Sequence, residues 1–332
     1  MPTPFCCNPR FCHALFAWPS TVSMPTDQAS ASAELPSDAS FFDTLTTDAV
    51  EARTNARPPK PIWPDRLRRL DSPVQSVDLP SIDRADASNL DQDTEWCRVA
   101  LGEERSSDIR RIRFHDYTDI FDIPGLYEKL FYETLECCSP SRVVHLLSEV
   151  LEDAGESIAD LRCLDVGAGN GMVADELKLR GAKSIVGVDI IPAARNAALR
   201  DRPGVYDDYL VADLTDLDET QEHVIRQRRL TALTLVAALG FGDIPPAAFL
   251  KALDLVETPS WIAFNVKERF LLEREPGSFG AIVHDLVDAE VLRFEAYRRY
   301  GHRLSVDGRQ LHYVGIVAKK LKDVPDHLLR TS

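Results

Sequence analysis

The stretch Leu164-Asp165-Val166-Gly167-Ala168-Gly169-Asn170-Gly171 stands between the apolar Leu161 and Cys163 and the helix-like Met172-Val173-Ala174-Asp175-Glu176-Leu177. It reads as strand, glycine turn, helix. Alternating glycines let the backbone turn sharply and let a ligand approach where a Cβ would collide, while a helix N-terminus points free N–H groups into the same space. On this stretch alone the chain is an α/β protein with a ligand-binding turn at a strand end.

Two details narrow the ligand. The dinucleotide fingerprint G-x-G-x-x-G seats a pyrophosphate on the helix N-terminus, but Met172 stands where its third glycine belongs, and the pattern here is G-x-G-x-G. Asp165 lies two positions before the first glycine, where it is expected to face the ligand from the strand end. A carboxylate there repels a diphosphate and attracts a cation. A ligand with an ammonium and a sulfonium but no phosphate suits that field.

Two more acids close β-like runs. Ser184-Ile185-Val186-Gly187-Val188 ends in Asp189, near the spacing at which an acid meets ribose hydroxyls, and Tyr209-Leu210-Val211-Ala212 ends in Asp213. Singly, Asp189 and Asp213 also read as capping residues; three in register, separated by helix-like segments, point to one site. These residues resemble the class I S-adenosylmethionine (SAM)-dependent methyltransferases, whose first motif is an acid followed by G-x-G-x-G. The resemblance implies SAM as cofactor, cradled by Asp165, Gly167, Ala168, Gly169, Asn170 and Gly171. It gives Asp189 the ribose and Asp213 the adenine amino group, with Ile190, Leu214 and Ala238 joining the set. It also implies a Rossmann-like α/β fold: a seven-stranded, mostly parallel sheet of order 3-2-1-4-5-7-6, last strand antiparallel, helices on both faces.

Composition sets bounds. A net charge of −15 over 332 residues argues against a general affinity for nucleic acid or anionic membranes, since phosphate binding needs a basic footprint. A small molecule, or less readily a basic protein, suits it better. The seven cysteines, Cys6, Cys7, Cys12, Cys97, Cys137, Cys138 and Cys163, follow no framework of spacings, which is cytosolic usage. Cys6, Cys7, Cys12 and His13 lack a C-x-x-C knuckle, so no metal is expected. No apolar run approaches the roughly 20 residues of a membrane span.

Residues 1–94 read as a disordered leader rich in Ser, Pro, Asp and Ala, with Phe41, Phe42 and Trp63 as apolar exceptions. Met24 is an alternative start. The domain is expected over 95–320, opening with a helical lid segment, 95–158, and continuing as the SAM-binding core, 159–320; 321–332 is a short polar tail. Within the lid segment, Tyr127 to Leu135 and the run after Ser139-Pro140-Ser141 are helix-like, and Tyr117, Tyr127 and Tyr132 are candidates to line a substrate pocket. Gly181 closes the first core helix and Pro192 opens the next. Leu233 to Leu239 reads as a buried parallel strand. The following Gly240-Phe241-Gly242-Asp243-Ile244-Pro245-Pro246 lacks the contiguous acid–proline–proline–aromatic motif of the base-methylating enzymes, so that reading is set aside. Ser260 to Val266 is the fifth strand. Two β-like runs, Val291 to Val306 and Arg309 to Lys319, meet at Asp307-Gly308, a hairpin signal.

Loops after strand C-termini hold the ligand in open α/β sheets. Phe241, Asn265, Lys267 and Glu268 are therefore substrate-side candidates beside the three tyrosines. More loosely, the chain is similar to the methyltransferase-like proteins of the Williams–Beuren region type. The expected activity is transfer of a methyl group from SAM to an unidentified, small-molecule acceptor. The alternatives are a non-catalytic SAM-binding scaffold and, more distantly, a nicotinamide-dependent oxidoreductase. Glu268, His284 and His312 are possible bases, and no catalytic residue is singled out.

Overall fold

The computed structural model describes residues 60–81, 95–102, 108–239, 243–273 and 275–330. Its organising element is a seven-stranded sheet. β4 (Arg162–Val166) is the middle of five parallel strands, flanked on one side by β5 (Ser184–Asp189) and β6 (Asp208–Val211) and on the other by β7 (Ala232–Leu235) and β8 (Ser260–Val266). β10 (Gln310–Lys320) inserts antiparallel between β8 and β9 (Leu292–Leu304), giving the expected order with the final strand reversed. β8 is buried at all seven positions, as its unbroken apolar run predicts for a strand covered on both faces.

Helices cover the sheet between strands. α3 (Ser139–Asp153) takes Pro140 in its first turn and buries Val143, Val144, Leu146, Leu147 and Leu151 against Cys163, Trp261 and Val317 of the sheet and against Val173 and Leu177 of α4 (Met172–Leu179). α5 (Pro192–Asp201) is small-faced: Ala193, Ala194 and Ala197 are buried and admit Phe121 from α2 (Tyr117–Asp122). α6 (Glu219–Gln227) carries a capping box between Asp218 and Gln221. α7 (Pro246–Leu255), α8 (Glu268–Leu272) and α9 (Phe279–Asp288) complete the layers.

Three parts of the N- and C-terminal expectation change. Residues 60–81, expected inside an unstructured leader, form α1 (Trp63–Leu67) and β1 (Val74–Asp78). The prolines bound these elements rather than interrupt them: Pro64 sits in the first turn of α1, where a missing N–H costs nothing, and Pro73 and Pro80 flank the strand. Residues 95–113, expected as helical lid, are instead β2 (Trp96–Leu101) and β3 (Asp108–Arg113), which pair with β1 in a three-stranded antiparallel sheet. β2 buries Cys97, Val99 and Leu101, a period-two signal. The tail holds α10 (Asp326–Arg330), with Val324 and Leu328 buried. Residues 128–134 are helical as expected but wound as a π-helix. Phe241, Cys6, Cys7, Cys12, His13, Phe41, Phe42 and the leader outside 60–81 lie outside the described residues.

Candidate functional site

The glycine turn sits at the C-terminal end of β4, the middle of the five parallel strands, where the strand order reverses and open α/β sheets hold ligands. Gly167, Gly169 and Gly171 all have positive φ, at 65°, 52° and 93°. A Cβ at Gly167 would lie 2.8 Å from the Ala238 methyl, and one at Gly169 would lie 3.3 Å from the Phe121 ring. Conformation and space both demand glycine. The turn is held from below by hydroxyls: Tyr206 donates to the Ala168 carbonyl at 3.1 Å and Tyr209 to the Gly169 carbonyl at 2.8 Å.

The three acids do not surround one ligand as expected. Asp189, at the end of β5, does meet the turn: its carboxylate accepts the Gly169 and Ile191 N–H groups, each at 2.9 Å. Asp165 is sealed beneath the turn, with one oxygen taking the Tyr206 hydroxyl and the other the Thr234 hydroxyl, both at 2.7 Å. Burial pushes its carboxyl up to about 7 against the pull of those two donors. Asp213 is exposed and turned into its own loop, accepting from Thr215 N–H and hydroxyl, which hold it below the usual carboxylate range. Ile190 is exposed beside Asp189, and Leu214 is buried.

An acid that sequence reasoning did not single out joins the turn instead. Glu128, from the π-helix, is buried and takes the Asn170 amide at 2.8 Å. Arg202 is fully buried between Glu128 (2.7 Å) and Asp175 (2.8 Å), and Asp175 also meets Arg66 of α1 at 2.6 Å. One ion network thus ties α1 and the π-helix to the glycine turn. Glu128 Oε2 and Asn170 Oδ1 are left buried with no partner among the described residues.

Above the turn, Tyr117, Phe121 and Tyr127 form a stacked run: Phe121 lies 6.1 Å from Tyr117 and 5.0 Å from Tyr127 between ring centroids. Arg200 of α5 donates to the Phe121 carbonyl at 3.0 Å, pinning the end of α2. Tyr117 and Tyr127 also line a narrow cleft with Ala237, Asp243, His302 and Tyr313. Tyr132 belongs to the core beneath, packed against Trp63 and Tyr127.

Asn265 lies in the strand as expected and is a fully buried member of β8. It accepts the Ala237 N–H at 2.6 Å and donates to Tyr300 (2.8 Å) and Ser139 (3.1 Å). Its role is to hold Ala237, whose φ of 57° is strained for a residue with a Cβ. Lys267 follows β8 and Glu268 opens α8. His284 faces Asp288 one turn on at 3.1 Å, and His312 is exposed on β10, so neither lines the cleft. His302, on β9, does. Periodicity in β9 gave no sign of it, because the partners that define its position come from α3, β8 and β10.

A sheet of this order with a G-x-G-x-G turn after β4 is the arrangement that the resemblance to class I SAM-dependent methyltransferases implies. The methyltransferase-domain family model matches residues 164–225, from β4 through most of α6. No curated protein matches the chain. Among solved structures, it is similar to the N-methyltransferase NodS of Bradyrhizobium japonicum in complex with S-adenosyl-L-homocysteine (12% identity, 55% of this chain and 88% of that one, TM-score 0.39). It is also similar to a SAM-dependent methyltransferase of Methanosarcina mazei (17%, 50% and 94%, TM-score 0.36) and to a protein of Thermoplasma acidophilum (17%, 61% and 97%, TM-score 0.38). Similarity this distant carries nothing about an acceptor.

Proposed function

We propose that this protein transfers a methyl group from SAM to a small-molecule acceptor held in the cleft beside Ala237. The observation that carries the reading is the glycine turn with Asp189 on one side and two unpartnered buried oxygens, Glu128 Oε2 and Asn170 Oδ1, on the other. Buried acceptors without donors are costly, and an ammonium supplies the missing protons. The residues present therefore fit a cofactor with a cationic amino-acid end and a ribose: Glu128 and Asn170 for the ammonium, Asp189 for the hydroxyls, the glycines for close approach. Phe121, resting on Gly169, and the α2 stack would close over it.

SAM supplies a methyl group on a sulfonium, already an excellent leaving group. What remains for the chain is positioning and exclusion of water, which can contribute most of the rate. The aromatic stack of α2 and the π-helix suits that task. The free cysteines Cys97, Cys137, Cys138 and Cys163 are compatible with a reducing, cytoplasmic setting. No helix among the described residues is long and apolar enough to cross a membrane.

Titration calorimetry with SAM tests the cofactor, and incubation with isotopically labelled SAM and a fractionated metabolite pool tests the transfer. Heat on SAM addition and one labelled product are expected. SAM binding with no labelled product in any fraction supports the scaffold alternative, and absence of SAM binding overturns both.

A further inference from the structure

The hydrogen bonds running from Ala237 to His302 have a direction set at their first member. A backbone N–H can only donate, so the Ala237 bond fixes Asn265 Oδ1 as an acceptor and leaves two protons on Nδ2. These go to the Tyr300 and Ser139 hydroxyls. Tyr300, having accepted, donates to Ser139 Oγ at 2.7 Å. Ser139 Oγ then holds two donors, and its own proton has His302 Nδ1, 2.6 Å away, as its partner. A neutral imidazole that accepts at Nδ1 carries its proton on Nε2.

His302 is one of the residues that line the cleft, beside Ala237 and Tyr313. His302 Nε2 has no partner among the described residues. The ring is stacked on Tyr313 at 4.1 Å, which fixes its plane. Burial, followed by the nearby cations Arg303 and Lys267, holds the imidazole well below its ordinary range, so it stays neutral at physiological pH. A histidine with its proton already on Nε2 cannot take a proton there; it can only give a hydrogen bond.

We propose that the His302 Nε2–H group anchors the methyl acceptor by donating to it, and that the acceptor is an aromatic compound presenting a hydrogen-bond-accepting oxygen. This rests on the methyltransferase reading for the word acceptor. The cleft walls supply the rest of the specification. Phe114, Tyr117, Tyr127 and Tyr313 line the cleft with aromatic rings, and its charges are balanced, Arg303 being paired with the buried Glu95 at 2.6 Å and Asp243 lying on the same lining. The sequence of β9 carries no hint of this, since the proton's position is dictated through Asn265 and Ser139 by the backbone amide of Ala237.

Two measurements on the full-length protein test it. Nitrogen-15 NMR of the labelled imidazoles should show His302 neutral at pH 7 with its proton on Nε2, and Ser139→Ala should let part of the population move that proton to Nδ1. Titration with 4-nitrophenolate should show saturable binding that weakens about tenfold or more in His302→Phe, which keeps the stack on Tyr313 but removes the donor. A proton on Nδ1 in the wild-type protein, no saturable binding of the probe, or equal binding by wild type and His302→Phe overturns the proposal. SAM calorimetry on the same samples separates the two readings. Lack of SAM binding with the Nε2–H tautomer intact strikes the methyltransferase reading alone, and an Nδ1 proton with SAM bound strikes only the anchoring role.

Discussion

Asp165 shows how burial changes a residue's use. Its carboxyl is pushed up to about 7 by burial, so between the ordinary carboxylate range and about 7 the native state holds a proton that the unfolded chain releases. The stability this adds is full below the unfolded value and is lost as pH rises through about 7. Replacing it, Asp165→Asn, should flatten the dependence of urea-unfolding free energy on pH between about 4 and 7.5; an unchanged slope refutes the assignment. Arg202 is the opposite case, a buried cation between two buried acids. Arg202→Met leaves Glu128 and Asp175 facing each other without compensation and is expected to cost about 3–5 kcal/mol, read as a fall in the urea midpoint. Arg202→Met together with Glu128→Gln should recover part of that loss, which a packing role for Arg202 alone would not predict.

Among the elements, α2 is the one placed to open. It packs on the alanine face of α5 through Phe121, and its C-terminal carbonyls are pinned by Arg200. Phe121→Ala removes a buried ring worth about 3–5 kcal/mol, and hydrogen exchange over 117–122 should accelerate more than over β4. If exchange there is unchanged, α2 is not held by that ring. In the wild-type protein, SAM should slow exchange in the same six residues, because a closed stack over the glycine turn is what the cofactor reading requires. The β1–β2–β3 sheet makes a second prediction. A chain begun at residue 93 loses Leu67, Val74 and the Arg66–Asp175 contact, and its Tm should fall below that of a chain begun at Pro58. Equal values would mean that β1 and α1 add nothing to the fold.

At the scale of the molecule, the strands, the crossover helices and the closing hairpin were legible because each rests on local pattern, while the sheet order followed only from the resemblance that the glycine turn carries. Unbroken apolar runs mark strands covered on both faces, prolines and glycines mark helix ends, and Asp307-Gly308 marks the final reversal. The strand-end acids were legible as positions and not as roles. Whether a carboxylate faces a ligand, as Asp189 does the glycine turn, or is sealed under hydroxyls, as Asp165 is, depends on where Tyr206 and Thr234 come to lie. α1 and β1 were missed because a proline-rich composition averages over elements whose prolines fall at their borders. The primary structure by itself thus determined an α/β protein with a glycine turn at a strand end, since periodicity and turn chemistry act between neighbours along the chain. Only the tertiary structure decided which acid meets the turn, which arginine is buried with it, and on which nitrogen His302 keeps its proton. Burial and hydrogen-bond direction are set by groups brought together from distant strands.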